Sequence, residues 1–286
     1  MTVSSTVSRL QYGAVVSTTP ALFDGLLDDA AMFPPGNASP DSAIHEHLRY
    51  RTAWFADLVG PLLVDYRRWG EFGRASQDAG SPSLQVAVVG AAQSPARVFP
   101  NVAIRSFELP VSSPPLPDPG DAQRIAAEIT GSPHRLKLLT AIAERRAAGQ
   151  QIIAKYRTGG TSATSFPREQ EVADVIADAS QLQVPLKFTA GLHHAVRFTD
   201  AQSGLGQHGF LNLMVAVSLA ARGRDRTELL GALMERSAET VAREVRSWSH
   251  DEGRAVRAAF VSFGCCGVRD PVDDLVALGL LDGEGR

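Results

Sequence analysis

The stretch covering residues 151–194 constrains the fold most: two short β-prone apolar runs, each carrying one lysine, with one helical stretch between them. The first reads Gln151-Ile-Ile-Ala-Lys155-Tyr-Arg157-Thr158-Gly159-Gly160, and the second Pro185-Leu-Lys187-Phe-Thr189-Ala-Gly191-Leu-His193-His194. After Ser165-Phe-Pro167, the residues Val172, Val175, Ile176 and Ala179 recur at helical spacing. That unit has the length of a βαβ crossover, which predicts two adjacent parallel strands. A buried ammonium is costly unless it is paired or put to use. Loops at the C-terminal ends of parallel strands converge on a ligand crevice, so a site is expected where these strands end.

The rest of the chain supplies more units of this kind. Residues 61–66, 84–90, 102–111 and 259–264 read as strands. A helix is expected from Pro20 through Leu22, Phe23, Leu26 and Leu27, with Asp28 and Asp29 at its end, and Phe33-Pro34-Pro35-Gly36 as its stop. Ser39-Pro40-Asp41 opens the next helix towards Ala56, and further helices are expected over 121–129, 133–148, 210–221, 227–257 and from Asp270-Pro271 through Leu278. The polar run to Thr19 has no assigned element, and the proline-rich run 112–120 reads as a linker. Six strands interleaved with helices predict an α/β fold, TIM-barrel-like but irregular or incomplete for want of two strands; a doubly wound open sheet is the alternative. It is read as a single domain over residues 1–286 with a helical extension over about 1–57.

Composition narrows the partners. The 28 lysines and arginines against 31 aspartates and glutamates give a net charge of −3, which is not the balance of a nucleic-acid polyelectrolyte. Apolar windows such as 211–221 fall short of a membrane span, and no charged-then-apolar leader opens the chain. A cytoplasmic enzyme with a small anionic substrate is expected, without nucleic acid or membrane partners and with homo-oligomer formation left open. The only cysteines, Cys265 and Cys266, are neighbours that match neither an ordinary disulfide nor a zinc spacing.

Alternation along the strands puts Ile153, Lys155 and Arg157 on one face, and Lys187 on one face with Thr189 and Gly191. Asp65, Glu108 and the cysteine pair lie nearest the same ends of other strands. An amine attacks a carbonyl only when neutral, and burial or an adjacent cation depresses its pKa. The same charges can instead bind an anion, with Arg157, Lys155 and the amides of Thr158, Gly159 and Gly160 holding a carboxylate or phosphate. His193 and His194 support either an acid-base or carboxylate-binding role, or a divalent metal bound at His193 with Glu108, Asp65 or His208. His45 and His47 fall on different faces of a helix and read as surface residues. The cysteines read as packing, since a thiol nucleophile would need His193 or His194 brought beside it by folding. Asp28, Asp29 and the Phe33-Gly36 turn are candidates for a lid or an oligomer contact.

The segment Lys155-Tyr-Arg-Thr158-Gly159 resembles the K-x-x-T-G strand of deoxyribose-phosphate-aldolase-like class I aldolases, and Lys187-Phe-Thr189-Ala-Gly191-Leu is similar to the next strand of that family, K-x-S-x-G-I. Gly264-Cys-Cys-Gly267-Val268 is similar to the small-residue turn of its last strand, with cysteines where that family has hydroxyl residues. The resemblance implies a Schiff base at Lys155, a Lys187 that lowers the pKa of that amine, a phosphate held near Cys265 and Cys266, and proton relay by Glu108. The expectation is thus a lyase acting on a small anionic carbonyl compound, without a resident cofactor. Lys155, Lys187, Glu108 and His193 would be catalytic, and Arg157, Thr158, Gly159, Gly160, Thr189, His194, Cys265 and Cys266 would bind substrate. A divalent-metal lyase or hydrolase using His193 and a non-catalytic anion-binding barrel are the alternatives.

Overall fold

A computed structural model of the protein describes residues 19–80, 83–91, 95–116, 124–129 and 134–283. Its strands in chain order are β1 (Leu27–Asp29), β2 (Val59–Asp65), β3 (Leu84–Val89), β4 (Val102–Val111), β5 (Ile125–Ile129), β6 (Ile152–Arg157), β7 (Leu186–Thr189), β8 (Phe198–Thr199), β9 (Gly206–Gln207) and β10 (Phe260–Cys265). All but β8 and β9 pair in parallel into a closed barrel in the order β1-β10-β7-β6-β5-β4-β3-β2, while β8 and β9 form a separate antiparallel pair. The protein is therefore an eight-stranded α/β barrel of the TIM type, and the open-sheet alternative falls.

The helices are α1 (Thr19–Phe23), α2 (Pro40–Tyr50), α3 (Trp69–Asp78), α4 (Arg135–Ala147), α5 (Glu169–Gln181), α6 (Phe210–Ala221), α7 (Arg226–Met234), α8 (Ala238–Ser247), α9 (His250–Ala259) and α10 (Arg269–Ala277). Their starts are chemically specified. Ser39 accepts a bond from the Ser42 amide ahead of Pro40, and Asp225 with Glu228 and Ser249 with Glu252 form capping boxes. Alternate strand residues face this helical layer: Ile152, Ala154 and Tyr156 of β6 and Leu186 and Phe188 of β7 share one apolar core with Val172, Val175 and Ile176 of α5. The crossover from β7 to β10 carries α6 to α9 rather than one helix, and α6 is buried along most of its length because α7, α8 and α9 pack around it. No helix among the described residues is long and apolar enough to cross a membrane.

Two expected helices supply the two missing strands. The helix begun at Thr19 stops at Phe23, because Gly25 takes the left-handed conformation (φ +58°), and Leu27–Asp29 then runs as β1 between β10 and β2. The presumed helical extension thus contributes a barrel strand. Likewise Ile125–Ile129 is β5, paired with β4 and β6; residues 121–123 of the expected helix lie outside the described residues. Ile125, Ala127 and Ile129 enter the outer core while Ala126 and Glu128 alternate with them, a period of two hidden by helix-favouring residue types. The proline-rich run expected as a linker falls between β4 and β5, which pair directly, so no domain boundary passes there; its residues 117–120 lie outside the described residues.

Candidate active site

The inward side chains of the barrel include a chain of alternating charges. Register places Glu128 of β5 beside Lys155 of β6, and Lys155 beside Lys187 of β7. Lys155 Nζ lies 2.9 Å from Glu108 Oε2 and 2.8 Å from Glu128 Oε2. Lys187 Nζ contacts both Glu108 Oε1 and Asp28 Oδ2, and Asp28 also accepts a bond from Ser262 Oγ at 2.8 Å. Arg157 closes the chain on Glu128 at 3.0 Å. Three carboxylates thus meet three cations, which is the condition for burying such charges. Glu108 Oε2 faces Lys155 off the hydrogen-bond direction, so that contact is ionic rather than a directed bond.

The electrostatics follow from burial against pairing. Burial alone would raise the Glu108 carboxyl pKa, but the ammoniums of Lys155 and Lys187 overcome it and hold the group well below its usual range. Glu128 is depressed in the same way, with Lys155 and Arg157 outweighing its burial. Burial would lower the Lys187 pKa, yet Asp28 and Glu108 win and hold it above the ordinary lysine value. For Asp28 burial prevails and the carboxyl is raised. Glu108 therefore stands between the two ammoniums, so the expected direct push of Lys187 on its neighbour is not the arrangement found.

A cavity of about 350 Å³ opens at the C-terminal end of the barrel. Lys155 lies at its floor with 4% of its side chain exposed, and Arg157 stands at its mouth with 47% exposed. Thr189, Gly160, Cys265, Cys266 and His193 line the walls, and Phe33, Pro34 and Pro35 close one side as a lid-like loop. A larger cavity of about 720 Å³ opens at the opposite end and reaches Asp28, Glu108 and Lys187 from below. Its Arg146 and Arg257 donate to backbone carbonyls of Ile152, Phe260 and Val261. The C-terminal cavity is the candidate site, since the Lys155 amine, the Arg157 guanidinium, the His193 imidazole and both thiols face it.

His193 follows β7 and is held in place by two partners. Its Nδ1 is 2.8 Å from Asp270 Oδ2 of α10, and its Nε2 is 3.3 Å from Cys266 Sγ. Among the described residues no group of three or more His, Cys, Asp and Glu side chains is disposed to hold a metal ion, and both His193 nitrogens face protein groups.

Several sequence candidates lie elsewhere. His194 turns to an outer groove, with Nδ1 3.2 Å from Asp274 Oδ2 and its ring edge-on to Phe198. Thr158 is buried and donates to the carbonyls of Thr189 and Ala190 at 3.2 and 2.8 Å, fastening β6 to β7 rather than facing the cavity. Asp65 pairs with Arg67 at the surface, and His208 donates from Nε2 to the Pro167 carbonyl at 2.9 Å. His45 is exposed, but His47 is buried, 3.1 Å from Asp29 Oδ2, because β1 turns Asp29 outward onto α2. Asp28, Glu128 and Asp270 are the site residues that the sequence reading assigned no catalytic role. The first two were hidden by the missed strands, and Asp270 by its expected role as the cap of α10, which in fact begins at Arg269.

Gly159 is positioned by close approach: a Cβ there would lie 3.0 Å from Gly191 Cα and 3.1 Å from the Ala190 carbonyl oxygen. Both obstacles are backbone. Gly159→Ala is expected to push β6 and β7 apart at their ends and cost about 1–3 kcal/mol, read as a lowered denaturant midpoint; an unchanged midpoint would contradict the packing described. Compared with known protein families and with curated proteins, the chain matches none.

Proposed function

We propose that this barrel is an enzyme acting on a small anionic carbonyl compound, through a Schiff base at Lys155. The observation that carries the reading is the placement of Lys155 Nζ at the floor of the C-terminal cavity, between Glu108 and Glu128 and below Arg157 on the same strand face. Glu128 is in position to take a proton from Nζ, freeing the lone pair for the carbonyl carbon. The carbinolamine then loses water, and the resulting iminium carries positive charge where two carboxylates already stand. Arg157 supplies a fork of donors to a substrate carboxylate, and His193 is within the cavity to move protons to and from the substrate. A cavity of about 350 Å³ suits a compound of few carbons. The resemblance of both lysine strands to class I aldolases supports the same chemistry.

Borohydride added with a panel of carboxylate-bearing aldehydes and 2-oxo acids is expected to fix a reduced imine on the protein. Arg157→Met should weaken half-saturation by about 10- to 100-fold, the loss of a charge-assisted hydrogen-bond pair. A panel that labels no lysine leaves anion binding as the better account of these strands.

A further inference from the structure

The C-terminal cavity also holds a thiol that imine formation does not use, set against the His193 imidazole. Cys266 Sγ, His193 and Asp270 stand in the order of nucleophile, base and orienting carboxylate, at 3.3 Å and 2.8 Å. Cys265 is 2% exposed, and its Sγ donates to the Gly267 carbonyl at 3.3 Å. It lies 3.7 Å from His193 Nδ1, the nitrogen already engaged by Asp270. Cys266, being only partly buried, is the thiol with a route to a ligand.

Position 267 is fitted to this relay. A Cβ there would lie 2.6 Å from Asp270 Oδ2 and 3.4 Å from His193 Nδ1, so only glycine leaves the carboxylate its place. The charged and titratable groups facing the imidazole are Cys265 and Cys266 at the end of β10 and Asp270 on α10, while Lys155 and Arg157 face the same cavity from β6.

We propose that Cys266, with His193 as base and Asp270 as positioning residue, gives this protein an acyl-transfer activity on small carboxylate-bearing esters or thioesters. The Cys266 thiol proton passes to His193 Nε2 as sulfur bonds to the carbonyl carbon, and the C=O π pair moves onto oxygen. The alkoxide then re-forms the carbonyl and the bond to the leaving group breaks, the leaving group taking its electron pair and the proton from Nε2. Water, deprotonated by His193, splits the thioester to release the acid and restore the thiol. Lys155 and Arg157 are the cavity's cations for the developing oxyanion and the substrate carboxylate. The activity does not rest on imine formation, and the two chemistries leave their adducts on different residues.

The test uses para-nitrophenyl hydrogen adipate, with para-nitrophenyl acetate as the uncharged comparison. The expected result is a burst of about one nitrophenolate per chain, faster with the adipate, with fragment masses placing the acyl group on Cys266. Cys266→Ser should remove the burst, and His193→Gln should slow acylation by about 10²-fold or more. Asp270→Asn and Gly267→Ala should move the pH dependence of acylation towards that of an unpaired thiol, about 8.5. Protein folded by circular dichroism that gives no burst, an acyl group on Cys265 or a lysine, or a burst indifferent to His193→Gln would overturn the proposal. An Asp270→Asn pH profile identical to wild type would overturn the role of Asp270.

Discussion

Replacing Glu108 with glutamine is expected to destabilise the protein by about 3–5 kcal/mol, the cost of removing one partner from a buried ionic set. Glu108 is fully buried and is, among the described residues, the only carboxylate that contacts both lysine ammoniums. Its amide replacement leaves three cations sharing two carboxylates, Asp28 with Lys187 and Glu128 with Lys155 and Arg157. Chemical denaturation at neutral pH reads the effect directly. Asp65→Asn, which breaks a contact with the exposed Arg67, should leave the midpoint nearly unchanged.

The pH dependence of the same comparison carries a sign. The folded-state pKa of Glu108 is depressed, so its stabilisation is present above the unfolded value of about 4.3 and is lost as pH falls through the folded value. The gap between wild type and Glu108→Gln should therefore be widest near neutrality and narrow below about pH 4. As pH approaches the folded value of about 2, protonation gives the wild type a neutral side chain too. A gap that grows in acid would contradict the ionised, doubly paired Glu108.

The sequence made the barrel legible where strands are long and apolar, and obscured it where they are short or contain helix formers. The two lysine strands declare themselves because Ile152, Ile153 and Ala154, and then Leu186 and Phe188, surround each charge with β-prone or small residues; their parallel pairing in register is as expected. β1 has three residues and ends in two aspartates, a pattern that also closes a helix. Only the folded barrel shows that Asp28 turns inward to Lys187 while Asp29 turns outward to His47. The Ile-Ala-Ala-Glu-Ile of β5 has strong helix propensity, and its burial between β4 and β6 overrides that preference.

The site was legible to the same extent. Lys155, Arg157, Thr189, Gly160, His193 and Cys266 do share one cavity. The ionic partners of Lys155 and Arg157 come from β4 and β5 and that of His193 from α10, and no spacing along the chain reports contacts across so many intervening residues. Adjacent His193 and His194 look equivalent in sequence. The bend after β7 sends one to Asp270 and Cys266 and the other to Asp274 and Phe198.

Lys155→Arg should take covalent trapping from about one adduct per chain to none. The guanidinium keeps a permanent positive charge within reach of Glu108 and Glu128, so the ionic set persists while the nucleophilic amine is gone. Loss of trapping with a near-normal denaturation midpoint therefore reports chemistry rather than unfolding. Lys187→Met acts differently. It frees Asp28 and Glu108 from their shared cation and should lower the denaturation midpoint as well as trapping.

Peptide mapping of the borohydride adduct tests the account most directly. Wild-type protein incubated with a carboxylate-bearing aldehyde or 2-oxo acid and then reduced is expected to carry the ligand mass on the peptide containing Lys155, and Lys155→Arg is expected to carry none. An adduct confined to an exposed lysine such as Lys137, or one undiminished in Lys155→Arg, would contradict the assignment of Lys155 as the reacting amine.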